Sequence, residues 1–481
     1  MKHFLHIRLH IYPSTQNSLN YVLSETDFRV NPELVLTPTC ESCCVIMATI
    51  RVSPSICMSD EDVLIEVNNL EPDRNYTLCL TFEIKVNFAD DDVLLVSNTA
   101  TERTSQAQFT RLMRVVKTFC WIGITNLSFQ GIEPMGLFMS MVPEAGYRYG
   151  SPIVAVPTSK PFVYELSVQN SGGRSLASTS IERRFEHPGV ERIELENEAL
   201  TGTIYKPKRV DGKAPAVIDL YGSSGGIKEH RAALLASHGF AVLCLPYFSY
   251  KNLPAMLIDV DLDYFQNAIE FFCSQPYTTD TCGVIGTSFG GAVACLLSIR
   301  NPRVKAIVTV NCSAQLDPVT EFHENGELLP IVEYSDVGEL RKKNNIPMYK
   351  SLMEQIPFDP NRVFEVEKSA PDTRFYFITS IDDDSNCSVS AARVLCDRLR
   401  KSGHWFDLDV VWGGHLIDPP FMPLVDVIYN KFFDMLNLFG GEPWGSAVSQ
   451  RHTWRKTIDF FSTNIGRPTK MEPISAYRSK I

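Results

Sequence analysis

The sequence predicts an all-β domain followed by an α/β domain. In the first half, short runs rich in β-branched and aromatic residues are separated by Asn, Asp, Pro and Gly, as in antiparallel sheets. In the second half, apolar strand patterns alternate with helical ones, as in parallel sheets. With 481 residues, of which 44% are hydrophobic, the chain is long enough to bury two cores.

The first domain is predicted from four short β-rich runs, at residues 63–67, 76–82, 94–96 and 162–168. Their length and the turn residues between them favour an antiparallel sandwich of the immunoglobulin-like type, which we place at residues 48–190. Residues 1–47 show no comparable pattern and are assigned to an extension of unknown structure. A longer apolar run at 109–124 interrupts the pattern, and we expect either an additional edge element or a wrongly assembled piece of coding sequence.

The second domain is predicted from the turn Gly286-Thr-Ser-Phe-Gly290, which follows a strand-like run and leads into a helix-forming one. A serine between two glycines at such a turn is typical of the nucleophile elbow of an α/β-hydrolase. The turn strains the serine backbone, and the glycines let the strand and the helix approach closely. We therefore predict Ser288 as a nucleophile, an α/β-hydrolase domain at 191–465, and a C-terminal tail at 466–481.

An elbow serine needs an acid and a base further along the chain, in the order Ser, Asp or Glu, His. Three carboxylates, those of Asp382, Asp383 and Asp384, follow a predicted buried strand. His415 follows the next predicted strand after two glycines, which lets an imidazole reach over the edge of the sheet. We predict His415 as the general base. Because a triad uses a single carboxylate, the residues alone leave the choice among the three aspartates open.

Such a site also needs backbone N–H groups that bind the developing oxyanion. One is expected from Phe289, directly after the nucleophile, and the other from a loop after an earlier strand. The predicted strand at 216–221 is followed by Gly222-Ser-Ser-Gly-Gly226, whose small side chains expose backbone donors. We predict the N–H groups of Phe289 and Ser223 as the oxyanion hole.

Longer stretches around these residues resemble the family of acyl-CoA thioesterases and bile acid-CoA:amino acid N-acyltransferases. The likeness lies in residues 221–226, 230–247, 286–291 and 414–421, with further matches at 131–136, 185–190, 440–442 and Trp454. The resemblance implies an N-terminal β-sandwich, then an α/β-hydrolase, with Ser288, Asp383 and His415 as the triad. Ser380 stands where the family usually has glycine, so Asp382 and Asp384 stay as alternatives to Asp383.

The resemblance implies that fatty acyl-CoA is the substrate and that it is hydrolysed through an acyl-serine intermediate. The N-acyltransferase branch, which transfers the acyl group to glycine or taurine, is associated with cysteine as the nucleophile. Serine at position 288 therefore favours the thioesterase branch. Three alternatives are an N-acyltransferase, a general carboxylesterase, and a lipid-binding protein that has kept the fold without the chemistry.

The composition of the chain limits the classes of molecule that the protein is expected to bind. The net charge of −11 gives no field that attracts nucleic acid or anionic membranes, and no run is long and apolar enough to span a bilayer. Nor does this charge attract coenzyme A, itself an anion, so a local basic cluster is required and Arg341-Lys-Lys343 is the candidate. The thirteen cysteines lack the spacing of metal ligands and indicate reduced thiols. We expect neither a metal nor a cofactor.

The last three residues, Ser479, Lys480 and Ile481, resemble the peroxisomal signal Ser-Lys-Leu. We interpret residues 473–479 as an accessible tail that an import receptor could bind. No signal-peptide pattern is found at Met1. The sequence thus predicts a peroxisomal protein, with the cytosol as the alternative.

Overall fold

The computed structural model describes residues 47–71, 74, 76–87, 110–120, 135–141, 157–197, 199–210, 212–258, 260–316, 320–331, 338–430 and 435–480. Side chains are not described at 83–87, 110–120 and 478–480. The extension at 1–47, apart from Met47, and the strand predicted at 94–96 lie outside the described residues.

The N-terminal region consists mainly of strands: β1 (Thr49–Ser53), β2 (Ile56–Met58), β3 (Leu64–Asn68), β4 (Tyr76–Asn87), β5 (Thr110–Cys120), the short helix α1 (Gly136–Met139), β6 (Phe162–Asn170) and β7 (Ser175–Arg184). One sheet has the order β2-β7-β6-β4-β5, and β1 pairs with β3 in a second. All these pairings are antiparallel except that of β2 with β7. Because parts of this region lie outside the described residues, a complete sandwich stays a prediction.

The apolar run predicted at 109–124 contains β5, which lies at the edge of the five-stranded sheet. Its backbone pairs with β4 from Thr110 to Cys120. In β6, the side chains of Phe162, Tyr164 and Leu166 are buried and alternate with exposed neighbours, as expected for a strand with one face against a core.

The second half is built on an eight-stranded sheet: β8 (Val190–Glu196), β9 (Thr201–Pro207), β10 (Ala214–Leu220), β11 (Ala241–Cys244), β13 (Thr278–Thr287), β14 (Val304–Val310), β19 (Arg374–Ser380) and β20 (Phe406–Val411). Their order is β8-β9-β11-β10-β13-β14-β19-β20. The pairings of β9 are antiparallel and those from β11 to β20 are parallel. The division predicted near residue 190 falls at the start of β8.

Helices cover both faces of this sheet: α2 (His230–Ser237), α3 (Leu262–Cys273), α4 (Phe289–Arg300), α6 (Ser388–Ser402) and α7 (Pro443–Asn464). Neighbouring residues of β10 enter two different cores, since Val217 packs with residues of α2 and α7 while Ile218 packs with residues of α3, α4 and α6. A sheet buried on both faces explains the continuous apolar runs in its strands. No helix within the described ranges combines the length and apolarity that a membrane crossing needs.

The chain also forms shorter elements: β12 (Val260–Asp261), β15 (Phe322–Glu324), β16 (Glu327–Leu328), β17 (Lys342–Lys343), β18 (Ile346–Pro347), α5 (Lys350–Met353), β21 (Val427–Asn430), β22 (Met435–Leu438) and a 3-10 turn at Val366–Lys368. The core beneath α2 and α7 continues into the N-terminal region through residues such as Leu80, Phe138 and Tyr164. The N-terminal strands therefore pack against one helical face of the second domain.

The C-terminal segment, which we predicted as an accessible tail, contains a 3-10 helix, Ile474–Lys480. Pro473, Ser475 and Ala476 are exposed, and Ile474 and Tyr477 are half-buried. The ring of Tyr477 packs edge-on against His187, with 5.2 Å between ring centroids. This ring contact anchors the C-terminal segment, up to Tyr477, to the residues that precede β8. Ile481 lies outside the described residues.

Candidate active site

The turn predicted as a nucleophile elbow joins β13 to α4, and Ser288 occupies it with φ 55° and ψ −123°. Positive φ is unfavourable for a residue with a side chain and is retained where the surrounding structure enforces it. A Cβ on Gly286 would lie 2.1 Å from the carbonyl oxygen of Gly290, and one on Gly290 would lie 2.6 Å from that of Tyr221. Only glycine fits at both positions, which is the reason for the spacing in the sequence.

Ser288, His415 and Asp383 form one hydrogen-bonded chain. The distance from Ser288 Oγ to His415 Nε2 is 2.9 Å, and His415 Nδ1 lies 3.0 Å from both carboxylate oxygens of Asp383. Asp383 is fully buried and His415 is 3% exposed. With Nδ1–H donated to the carboxylate, Nε2 is left as an acceptor for the serine hydroxyl.

Of the three neighbouring carboxylates, the one in contact with the imidazole is that of Asp383. Its Oδ1 also accepts hydrogen bonds of 2.9 Å from the backbone N–H groups of Ser385 and Asn386. Asp384 faces elsewhere, because its Oδ2 lies 3.1 Å from Lys343 Nζ. The Asp383 carboxylate is therefore held in place by three groups, the imidazole and two backbone N–H groups.

A residue that the sequence reasoning missed, Asn311, holds the loop of the base in place. Its side-chain amide donates to the carbonyl oxygens of Gly414 at 3.1 Å and His415 at 2.8 Å, and to Ser380 Oγ at 3.0 Å. Its Oδ1 accepts from the backbone N–H of Ser380 at 2.7 Å. Asn311 is fully buried directly after β14, and an amide following an apolar strand was the signal that could have found it. The hydroxyl of Ser380, the departure from the family pattern, is one of its partners.

The two predicted oxyanion donors belong to segments that lie beside the nucleophile. Phe289 is the first residue of α4, where backbone N–H groups have no acceptor within the helix. A Cβ on Gly222 would lie 2.9 Å from Ser288 Cβ and 3.4 Å from its Oγ, so the loop that continues into Ser223 passes directly by the serine. Lys228 Nζ donates to Gly225 O at 2.8 Å and fixes the far side of this loop. The role of the two N–H groups stays a prediction.

The predicted basic cluster lies near the acid loop. Lys342 and Lys343 form β17, which pairs with β18 through a tight turn. Arg341 is bound to Glu354 in an ion pair, and Lys343 lies beside Asp384, the residue after the triad carboxylate. The side chain of Lys343 is 60% exposed. Lys343 thus lies beside the acid loop, and Lys342 is its exposed neighbour in β17.

The described residues contain neither a candidate metal site nor a disulfide bond. There, no group of three or more His, Cys, Asp or Glu side chains is arranged to hold a metal ion. Nine cysteines have described side chains, and none of these nine forms a disulfide. Most are buried, and burial raises the pKa of thiols such as Cys396, to about 12.

A mostly parallel sheet covered by helices on both faces, with a strained serine between strand and helix at its carboxyl edge, defines an α/β-hydrolase. Two family profiles match the chain: "BAAT / Acyl-CoA thioester hydrolase C terminal" over residues 260–467 and "Acyl-CoA thioester hydrolase/BAAT N-terminal region" over residues 126–197. The chain belongs to this family of acyl-CoA thioester hydrolases and bile acid-CoA:amino acid N-acyltransferases. The resemblance read from the sequence is confirmed.

The relatives that match this chain include both acyl-CoA thioesterases and an acyl-CoA amino acid N-acyltransferase. The chain is 30% identical to mouse acyl-coenzyme A amino acid N-acyltransferase 1, covering 87% of this chain and 98% of the relative. It is 31% identical to rat mitochondrial acyl-coenzyme A thioesterase 2, covering 69% and 74%. Identity of this size to both does not separate hydrolysis from transfer. Among solved structures, an acylaminoacyl peptidase of Pyrococcus horikoshii is 11% identical with a TM-score of 0.39, covering 76% of this chain and 56% of that one.

Proposed function

We propose that the protein is an acyl-CoA thioesterase that hydrolyses fatty acyl-CoA to a free fatty acid and coenzyme A. The observation that carries this proposal is the hydrogen-bonded chain of Ser288, His415 and Asp383 in a member of a family named for acyl-CoA chemistry. A hydroxyl within 2.9 Å of an imidazole that is itself bound to a buried carboxylate is arranged for nucleophilic attack on a carbonyl.

In the first half-reaction, Ser288 Oγ attacks the thioester carbonyl carbon while His415 Nε2 takes the hydroxyl proton. Asp383 stabilises the imidazolium, and the N–H groups of Phe289 and Ser223 bind the oxyanion of the tetrahedral intermediate. As the carbon–sulfur bond breaks, the imidazolium returns the proton to the leaving sulfur. The products are an acyl-serine ester and the free thiol of coenzyme A.

In the second half-reaction, His415 takes a proton from a water molecule, whose oxygen attacks the acyl-serine carbonyl. The same N–H groups bind the second oxyanion. Collapse of the intermediate breaks the ester bond, and the imidazolium protonates Ser288 Oγ. The fatty acid leaves, and the site returns to its starting state. The mechanism needs neither a metal nor a further cofactor.

Serine at the elbow supports hydrolysis over transfer to an amine. An acyl-serine is an oxyester, the intermediate expected of hydrolases, whereas the acyltransferase branch resembled by this chain is associated with a thioester on cysteine. The second candidate is acyl transfer to glycine or taurine, and the N-acyltransferase relative that aligns over 98% of its length favours it. A general carboxylesterase is the third.

One assay separates the three candidates. Purified protein is given palmitoyl-CoA, then a bile acyl-CoA with taurine, then a p-nitrophenyl ester, and free acid, amide and thiol are measured. We expect free acid from palmitoyl-CoA, little amide, and no thiol release by Ser288→Ala. Amide as the main product would establish the acyltransferase, and turnover of the p-nitrophenyl ester alone would establish the esterase. Ser288→Cys should raise the share of amide if an amine site is present.

We propose that Lys342 and Lys343 bind the phosphates of the coenzyme A part of the substrate. Against a net charge of −11, exposed lysines beside the catalytic loop are the local cations that an anionic substrate requires. Lys342→Ala should raise KM for acyl-CoA roughly threefold to tenfold and leave kcat and the KM of an uncharged p-nitrophenyl ester unchanged, because the loss of one phosphate contact costs about 1 kcal/mol.

The matched control for this variant is Lys401→Ala. Lys401 is exposed in the last turn of α6. Since α6 begins just after the acid loop, its far end lies at the opposite edge of the sheet. Equal changes in KM from the two variants would show a general charge effect and remove the assignment.

We also propose a peroxisomal location, through an import receptor that binds Ser479, Lys480 and Ile481, with the cytosol as the alternative. A receptor of this kind requires the free C-terminus. A fluorescent protein followed by residues 478–481 should collect in peroxisomes and become diffuse when Ile481 is deleted. Diffuse fluorescence from both the intact tail and the tagged full-length chain would place the protein in the cytosol.

A further inference from the structure

A second group of polar side chains is buried beneath the candidate active site and has no part in the mechanism above. We call it the buried network, and it consists of Asp219, Tyr221, His230, Arg231, Thr287 and Asp418. None of these side chains is more than 10% exposed, and Arg231 is 2% exposed. Four stretches that carry the family resemblance, 221–226, 230–247, 286–291 and 414–421, contribute members. A buried arginine needs a physical explanation, because its desolvation is costly.

Arg231, in the first turn of α2, connects the ends of two strands. Its Nη1 donates to Thr287 Oγ1 at 2.7 Å, and its Nη2 donates to the carbonyl oxygen of Leu220 at 3.1 Å. Its Nε donates to Asp219 Oδ1 at 2.9 Å, which balances the charge. The guanidinium also stacks 4.2 Å from the centre of the Tyr221 ring. One side chain thus holds the last residue of β10 and the last residue of β13.

These two strand ends lead into the two halves of the predicted oxyanion hole. In the sheet, Leu220 of β10 is paired with Gly286 of β13, so the strands leave the sheet side by side. The chain after Leu220 reaches Ser223 in three residues, and the chain after Thr287 reaches Phe289 in two. A relative shift of the strand ends would therefore change the separation of the two N–H donors.

The network also reaches the loop of the base. Tyr221 Oη lies 3.0 Å from His230 Nε2 and 3.3 Å from Asp418 Oδ1, and Asp418 follows His415 by three residues. Burial by itself would raise the pKa of Asp418, but the hydrogen bond and charge of His230 hold it below its ordinary value. The oxyanion loop, the elbow and the base loop are therefore joined through one set of buried contacts.

We propose that the buried network is a positioning device that fixes the spacing between the oxyanion N–H groups and Ser288, acting through Thr287 and Tyr221. This proposal rests on the proposed acyl-serine chemistry. Stability alone explains the network poorly, since buried ion pairs contribute little net stability compared with apolar side chains of similar volume. Its contacts with three active-site segments are what a positioning role requires.

A positioning role for an oxyanion hole has a specific kinetic signature. The donors bind the charge that develops in the transition state, so misplacing them lowers kcat and leaves KM nearly unchanged. A shift of about 1 Å can cost on the order of 10²-fold in rate. A purely structural role would lower thermal stability and leave the rate per folded molecule unchanged.

The test uses two variants of Thr287. Thr287→Val keeps the shape and removes the acceptor of Arg231 Nη1, whereas Thr287→Ser keeps that acceptor. Tyr221→Phe, which removes only the hydroxyl, is the second probe. For each we measure kcat and KM per active site titrated with a fluorophosphonate, and inhibition by an acyl trifluoromethyl ketone and by a thioether analogue of acyl-CoA. The ketone forms an oxyanion on serine, and the thioether mimics the ground state.

We expect kcat of Thr287→Val to fall roughly tenfold or more, the ketone to bind more weakly by a similar factor, and the thioether to bind as before. Thr287→Ser should restore most of the loss. A lower melting temperature with kcat and ketone affinity within about twofold of the unmodified protein would overturn the proposal, and Tyr221→Phe is judged in the same way if Thr287→Val does not fold. If no acyl-CoA is hydrolysed, the proposed function fails, while ketone affinity and labelling rate still decide the positioning role.

Discussion

Two of the histidine–carboxylate pairs lie in different regions of the molecule, and the chemistry that each pair supports differs. In the candidate active site, His415 binds Asp383 through Nδ1 and presents Nε2 to Ser288. Where the N-terminal strands meet the second domain, His238 binds Asp60 through Nε2, and Trp454 Nε1 donates to the same carboxylate at 2.7 Å. The Nε2 atom of His415 faces the hydroxyl of the candidate nucleophile, whereas the Nε2 atom of His238 is bound to the carboxylate itself. A histidine bonded to a carboxylate is therefore not sufficient for a catalytic site.

The electrostatics of the second pair favour an ion pair. Burial would raise the pKa of Asp60, but the charge and hydrogen bond of His238, with the bond from Trp454, hold it below its ordinary value. Burial would lower the pKa of His238, but the Asp60 charge outweighs this effect and raises it. Nearby, Arg451 and Arg455 of α7 pair with Asp62. Charges of α2, α7 and the N-terminal region thus join the two parts of the chain.

The largest expected effect is a loss of activity when the carboxylate of Asp383, and not that of Asp60, is replaced. Asp383→Asn should lower kcat on the order of 10⁴-fold, because an amide no longer selects the imidazole tautomer that accepts the serine proton. Steady-state kinetics on palmitoyl-CoA measures it. Asp382→Asn and Asp384→Asn are the matched controls and should retain most of the activity. Equal and mild losses from all three variants would place the acid on another strand.

A smaller effect is expected from the second pair, on stability and not on rate. Asp60→Asn should lower the free energy of unfolding by about 1–3 kcal/mol, because it removes the charge that balances His238 and weakens a buried hydrogen bond. Its kcat should stay within about twofold of the unmodified protein, because the side chain of Asp60 contacts His238 and Trp454, which are not members of the candidate triad. Urea denaturation compares it with Asp62→Asn, whose partly exposed ion pair should cost at most about 1 kcal/mol. A large loss of kcat per folded molecule would mean that this pair does support catalysis.

The smallest expected effect is on pH dependence. The difference in free energy of unfolding between the unmodified protein and Asp60→Asn should change with pH. The lowered pKa of Asp60 contributes stability that is present above the ordinary aspartate pKa and is lost as pH falls. The raised pKa of His238 contributes stability that is present below the ordinary histidine pKa and is lost as pH rises through the raised value. The gap between the unmodified protein and Asp60→Asn should therefore be widest between about pH 4 and pH 6.5. Denaturation at pH 5, 7 and 9 measures it, and a gap that grows toward pH 9 would contradict the ion pair.

Features that depend on neighbouring residues were predictable from the sequence. The elbow is one, because its two glycines and its serine lie within five residues and act on each other through the backbone. The buried strand predicted before Asp382 corresponds to β19, since an apolar run of that length fills a buried sheet. The strand predicted before His415 corresponds to β20, which lies at the edge of the sheet. The packing of Tyr477 on His187 was not predictable, because it involves residues 290 positions apart, which no local pattern reports.

By itself, the sequence determined the fold class of the second domain, the family, and the residue types of the candidate triad in their chain order. Tertiary structure decided which of three adjacent aspartates contacts His415, because that choice depends on the direction of side chains at the end of β19. It also decided the contacts of Asn311 and Arg231, whose partners lie on other strands and loops. Buried polar groups must find partners wherever the fold brings donors and acceptors together, and a linear sequence does not show those distances.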